Sequence, residues 1–123
     1  MFTSKEKKFI QSRDICRLAT CSGNKPHCVP VGYVFSDGSF YIPTAKKTKK
    51  VKDIEKNPEV CIVIDDDKAA GIMIKGKAEI TDAGKASPLR KSMENLGWTI
   101  GGFKNTFLIV IKPKKKVSWK LDI

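Results

Sequence analysis

Apolar and polar positions alternate along most of this chain, with a few short stretches of helical spacing between them. Thr3-Ser4-Lys5-Glu6 has the pattern of a capping box, and Phe9, Ile10 and Ile15 follow it as the apolar face of a short helix ending near Asp14. Cys16 to Cys21 then alternates with the two-residue period of a half-buried strand. Ser22-Gly23-Asn24-Lys25 turns the chain into His27 to Phe35, and Ser36-Asp37-Gly38-Ser39 turns it again into Phe40 to Thr44. Three consecutive antiparallel strands predict a meander. Residues 48 to 57 read as a helix held by Val51 and Ile54 and stopped at Asn57-Pro58.

The second half repeats the pattern. Val60 to Asp65 reads as a strand, Asp65-Asp66-Asp67-Lys68 as a polar turn, and Gly71 to Thr81 as a long strand with a bulge or bend at Gly76. Thr81 or Asp82 can cap a helix running to about Leu96, which Ser87-Pro88 can divide. A glycine-rich loop from Gly97 to Phe103 leads to final strands at Thr106 to Lys112 and Val117 to Leu121. The expected fold is mainly β, a six- to seven-stranded antiparallel split barrel with two or three short helices. So few helices leave sheet edges that curling into a barrel would hide.

At 123 residues with 41% hydrophobic positions, the chain is expected to be a single domain, 1–123, with a core of its own. No apolar run approaches the ~20 residues of a membrane helix, and the first eight residues have no signal-peptide core, so a soluble, cytoplasmic chain with no membrane partner is expected. Charge changes the picture more. The 24 Lys+Arg against 13 Asp+Glu leave +11, and residues 46–56 (net +4) and 112–120 (net +5) hold most of it. Such patches suit an anion: a nucleic acid, an acidic membrane face or a phosphorylated small molecule. A nucleic-acid-binding barrel would use both segments, with Tyr33, Tyr41 or Trp119 as stacking platforms. Arg is scarce, however, which weakens base-edge reading, and nucleic acid is the less favoured partner.

Cys16, Cys21, Cys28, Cys61 and the single His27 raise a metal or disulfide reading. No C-x-x-C pair exists, and Cys16 and Cys21, five apart on one strand, point to opposite faces, so they read as small apolar residues. A Cys-His pair across the hairpin would lack an orienting third group. Neither G-x-S-x-G nor G-x-G-x-x-G occurs, and Gly84-Lys85-Ala86-Ser87 is not a P-loop. No metal site and no catalytic side chain emerges.

The informative stretch is Thr44-Ala45-Lys46-Lys47-Thr48-Lys49-Lys50-Val51. A helix N-terminus prefers acids in its first turn. Here Thr48 is the expected N-cap and lysines surround it. Either an anion such as phosphate occupies the entrance, held by helix N–H groups, the two threonines and ammonium groups, or the lysines simply extend into water.

Arg17-Leu18-Ala19-Thr20, Lys25 to Tyr33, Tyr41-Ile42-Pro43-Thr44, Thr48 to Ile54 and Asn57-Pro58 together resemble the pyridoxamine 5'-phosphate oxidase-like split-barrel flavoproteins, from about Phe9 to Asp65 and more loosely beyond. The resemblance implies an FMN-binding oxidoreductase acting on an unidentified small molecule, with the deazaflavin F420 or a non-catalytic flavin carrier as alternatives. It places the flavin ring along Val29, Pro30 and Val31, Thr44 near the ring or ribityl chain, and the phosphate on Thr48, Lys49 and Lys50. It also implies a homodimer with flavin at the subunit interface, where Trp98 or Phe103 of the other half could close the site. The arginine- and histidine-containing substrate motif of the true oxidases is missing from the end of the sequence, and Lys49 stands where Arg is common.

Overall fold

The two-residue period sorts residues between an inner and an outer face. In a computed structural model describing residues 1–82, 89–97 and 106–121, β1 (Ile15–Ser22) buries Cys16, Leu18 and Thr20 while its other positions face out. The same sorting holds in β5 (Glu59–Asp65), which buries Val60, Ile62 and Ile64, and in β6 (Gly71–Asp82), which buries Ile72 and Ile74. Phe40 and Ile42 of β4 (Ser39–Ala45) and Ile109 and Ile111 of β7 (Thr106–Trp119) complete the core. With β2 (Lys25–Gly32) and β3 (Val34–Ser36), seven antiparallel strands form one sheet ordered β2-β1-β5-β6-β7-β4-β3 and curled into a half-barrel. Ile10 of α1 (Ser4–Gln11) and Ile54 of α2 (Lys49–Lys56) pack into the same core. No helix among the described residues is long and apolar enough to cross a membrane.

The expected three-strand meander is not formed. β2 and β3 lie at opposite edges of the sheet, because Tyr33 breaks the run from His27 to Phe35. Its N–H donates to the Asp14 carbonyl (3.0 Å) and its hydroxyl to the Ile10 carbonyl (2.6 Å), so the ring is buried and pinned below α1. The chain then crosses to pair β3 with β4. The first helix stops at Gln11 rather than near Asp14, where the Ser12 hydroxyl donates to the Phe9 carbonyl (2.7 Å).

The two final strands prove to be one. β7 is continuous because its lysines need only reach water or acids to stay in a strand, and β6 supplies a partner along its length. The irregularity at Gly76 is present, but the extra residue is Lys114 of β7: Lys75 faces Lys115, and Gly76 faces Pro113. Thr81 and Asp82 end β6 opposite Leu108 and Phe107. The described helix beyond them, α3 (Arg90–Asn95), is short; Gly97, with φ +96°, closes it by donating to the Glu94 carbonyl (2.9 Å). The expected start of that helix within residues 83–88, and Trp98 and Phe103, lie outside the described residues.

Candidate functional site

Where β4 leaves the sheet, Thr48 has the extended backbone of an N-cap (φ −83°, ψ 160°), and its carbonyl accepts from the Lys52 N–H (3.2 Å). Its hydroxyl does not cap the helix. It lies 3.2 Å from the hydroxyl of Thr44, which is buried at the end of β4. The first turn of α2 contains no acid, and among the described residues no side chain caps its first N–H groups. At the other end the Asn57 side chain donates to the Cys21 carbonyl (3.0 Å), tying α2 to β1.

α2 buries Val51, Asp53 and Ile54. Asp53 is 2% exposed; it accepts from the Thr20 hydroxyl of β1 (2.8 Å) and from the Lys49 ammonium one turn before it. The Lys49 hydrogen bond holds this carboxyl below its ordinary range, with Thr20 and the charges of Lys49 and His27 acting the same way against the cost of burial. His27 stands opposite Thr20 in the β1–β2 register, and its Nδ1 is buried without a hydrogen-bond partner among the described residues. A Cys-His pair across this hairpin is not formed: Cys28 faces Ala19 and Cys21 faces Pro26.

Lys50 differs from its neighbour. Its side chain is half-buried, burial lowers its pKa, and no carboxylate among the described residues pairs with it. Lys46 rests over the Phe107 ring at 5.2 Å, while Lys47 and Lys52 are exposed. Thr44, Thr48 and Lys50 therefore share the α2 entrance, and Lys49 stands beside them with its charge directed to Asp53.

Val29, Pro30 and Val31 lie on β2, an edge strand, opposite Leu18, Arg17 and Cys16. Val29 and Val31 are half-buried on the core side and Pro30 is exposed on the outer side. The outer edge of β2 has no neighbouring strand within the sheet, leaving backbone groups to meet a ligand. β2 and β4, which are not neighbours in the sheet order, also come into contact. A cavity of about 440 Å³ beside Phe2 and Phe35 and one of about 330 Å³ beside Arg17 and Asp65 do not reach Thr44 or Lys50.

The second basic segment has another use. Lys112, Lys114 and Lys116 pair with Glu79 (3.6 Å), Glu59 (3.4 Å) and Glu6, so much of its charge is neutralised within the chain. Of the aromatic residues expected as stacking platforms, Tyr33 is buried, Tyr41 half-buried and Trp119 38% exposed. The Asp65-Asp66-Asp67 turn is held internally: Asp65 and Asp67 face Arg17, and Asp66 accepts from the backbone N–H groups of Lys68 and Ala70.

The Thr20, Asp53 and His27 group escaped sequence reasoning. The i, i+4 spacing of Lys49 and Asp53 is the one signal that could have pointed to it, as a helical ion pair; nothing in the sequence marks the contribution of β1 and β2.

The family model of pyridoxamine 5'-phosphate oxidase matches residues 2–119. General stress protein 26 of Bacillus subtilis (strain 168) is 37% identical over 103 residues, covering 79% of this chain and 73% of that protein. Two solved structures share the fold at low identity. An FAD-binding protein of Mesorhizobium loti matches with a TM-score of 0.73 at 18% identity, over 95% of this chain and 94% of that one. The haem storage protein HutZ of Vibrio cholerae matches with a TM-score of 0.74 at 18% identity, over 90% and 89%. At those identities the likeness is one of fold.

Proposed function

The chain belongs to the pyridoxamine 5'-phosphate oxidase family, and from that premise we propose that it binds a flavin, FMN, and acts as a flavin-dependent oxidoreductase on a small molecule. The observation that carries the reading is the α2 entrance: a half-buried Lys50 with no carboxylate paired to it among the described residues, beside the Thr44 and Thr48 hydroxyls and a first helical turn with no acid. A phosphate monoester fits that donor set, since each hydroxyl and free N–H can donate and the ammonium neutralises charge. The fold match to an FAD-binding protein is in keeping with a flavin.

In this reading Thr44, Thr48 and Lys50 bind the phosphate. Val29 and Val31 offer apolar surface to the ring, and the open edge of β2 at Val29-Pro30-Val31 offers backbone groups to its polar rim; Pro30 contributes only a carbonyl because it has no N–H. A bound flavin supplies the hydride or electron chemistry, and the chain positions it and excludes water. Ile15 and Val117 are exposed on the outer face of the sheet. These exposed apolar residues support a homodimer in which the partner subunit covers the cofactor.

Titrating the protein with FMN, riboflavin, F420 and hemin, followed by flavin fluorescence and absorbance, tests the reading. FMN is expected to bind about tenfold or more tightly than riboflavin, the worth of one or two charge-assisted hydrogen bonds, and to be reduced by NAD(P)H or another donor. Equal affinity for FMN and riboflavin moves the phosphate elsewhere. Binding of F420 in place of FMN changes the cofactor, and a Soret shift with hemin and no flavin binding overturns the reading.

A further inference from the structure

Two adjacent lysines at one helix entrance face different surroundings. The Lys49 ammonium folds back onto Asp53, which is buried and fixed from a second element by the Thr20 hydroxyl. The groups facing this carboxylate are Lys49 from its own helix, Thr20 from β1 and His27 from β2. Among the described residues, Lys49 alone brings a hydrogen-bonded cation to it. Lys50, one residue on, is half-buried with no acid among the described residues to meet it.

We propose that Asp53, locked by Thr20, divides the two lysines between tasks: it takes Lys49 as its counter-ion and leaves Lys50 as the cation that meets the phosphate of the ligand. Asp53 and Thr20 are thereby positioning residues, and the inference rests on the flavin-phosphate reading above. The chemistry behind it is charge balance. A buried carboxylate that lost its ammonium would be left unpaired in a poorly solvated place, which strongly disfavours moving Lys49 to another anion. A phosphate sharing the same ammonium would also bring a second anion close to Asp53, where their repulsion opposes binding. Lys50 is under the opposite constraint: its half-buried charge is already partly desolvated with no acid among the described residues to compensate, so an arriving anion relieves it.

The test combines affinity with stability. FMN and riboflavin affinities are measured for the wild type, Lys50→Met, Lys49→Met and Asp53→Asn, and melting temperatures without flavin for these and for Lys49→Met/Asp53→Asn. Lys50→Met is expected to reduce the preference for FMN over riboflavin about tenfold or more without lowering the melting temperature. Asp53→Asn retains an acceptor for Thr20 and releases Lys49, so it maintains or raises that preference. Lys49→Met lowers the melting temperature by leaving Asp53 unpaired, and adding Asp53→Asn restores it. The proposal is overturned if Asp53→Asn lowers the FMN preference, if Lys49→Met lowers it as much as Lys50→Met, or if the double variant fails to recover stability. If the wild type itself does not prefer FMN, the flavin-phosphate reading fails and the role of Lys50 falls with it. The melting series then still decides whether Asp53 holds Lys49.

Discussion

Glu6 joins the start of the chain to its last strand. Its carboxylate accepts from the Thr3 N–H (2.9 Å) while the Thr3 hydroxyl accepts from the Glu6 N–H (3.1 Å), which is the capping box expected from four consecutive residues. The same carboxylate, 5% exposed, pairs with Lys116 of β7, whose ammonium also lies 5.9 Å from the Phe2 ring centroid. Burial pushes the Glu6 carboxyl up, but hydrogen bonds from Lys116, Thr3 and Ser118 and the Lys116 charge outweigh it and bring it from 4.5 to about 2. Because the folded value is the lower one, the stability this carboxylate contributes is fully present above about pH 4.5 and lost as the pH falls towards about 2. Glu6→Gln is expected to lower stability at neutral pH by on the order of 2 kcal/mol and to flatten the acid limb of denaturant midpoint against pH. An acid limb unchanged by the substitution would assign that pH dependence to other carboxylates. The cap was legible because it is local; Lys116, 110 residues away, looked like part of a polyanion-binding run until the fold set it beside an acid.

Among the elements, the β6–β7 pair carries the longest ladder in the sheet, and two glycines show how closely its strands and side chains approach. A Cβ at Gly76 would fall well inside contact distance of the Lys112 carbonyl, which cannot swing away because it belongs to the neighbouring strand. A Cβ at Gly71 would lie 2.5 Å from Cζ2 of Trp119, the far side of an indole at the sheet rim. Gly76→Ala is therefore expected to cost about 1–3 kcal/mol, whereas Gly71→Ala costs less and shifts the Trp fluorescence as the indole moves. Chemical denaturation of both variants checks the order, and an equal loss would mean that the Trp119 ring is as fixed as backbone. The sequence pointed to Gly76 through an interrupted alternation, but the extra residue sits at Lys114, because a bulge belongs to a pair of strands and one strand's pattern does not say which partner holds it. The meander failed for a related reason. Turn residues marked where the chain bends, while Tyr33, anchored to the carbonyls of Asp14 and Ile10, decided that the next strand would pair at the opposite edge.

For the whole molecule, the exposed apolar residues of the outer sheet face raise the question of what covers them. Ile15 is 51% exposed and Val117 57% exposed on that face, with Trp119 at 38%. If a second copy covers it, Val117→Asp is expected to shift the protein towards monomer in sedimentation velocity and to weaken FMN together with self-association, at little cost to the folded chain. A wild-type protein that sediments as a monomer with FMN bound would remove the dimer from the functional reading. By itself the sequence determined what depends on neighbours along the chain: the strand period, the helix entrance crowded with lysines, the capping box, the stop at Asn57-Pro58 and the motifs that resemble a flavoprotein family. Those features follow from backbone periodicity and from electrostatics within a turn or two of helix. Only the tertiary structure decided which lysines are already paired, which strands form the edges, and that Asp53 sits between Thr20 and Lys49. The reason is physical: burial and the distance between charges set the strength of an ion pair, and neither exists until residues far apart in sequence are folded against one another.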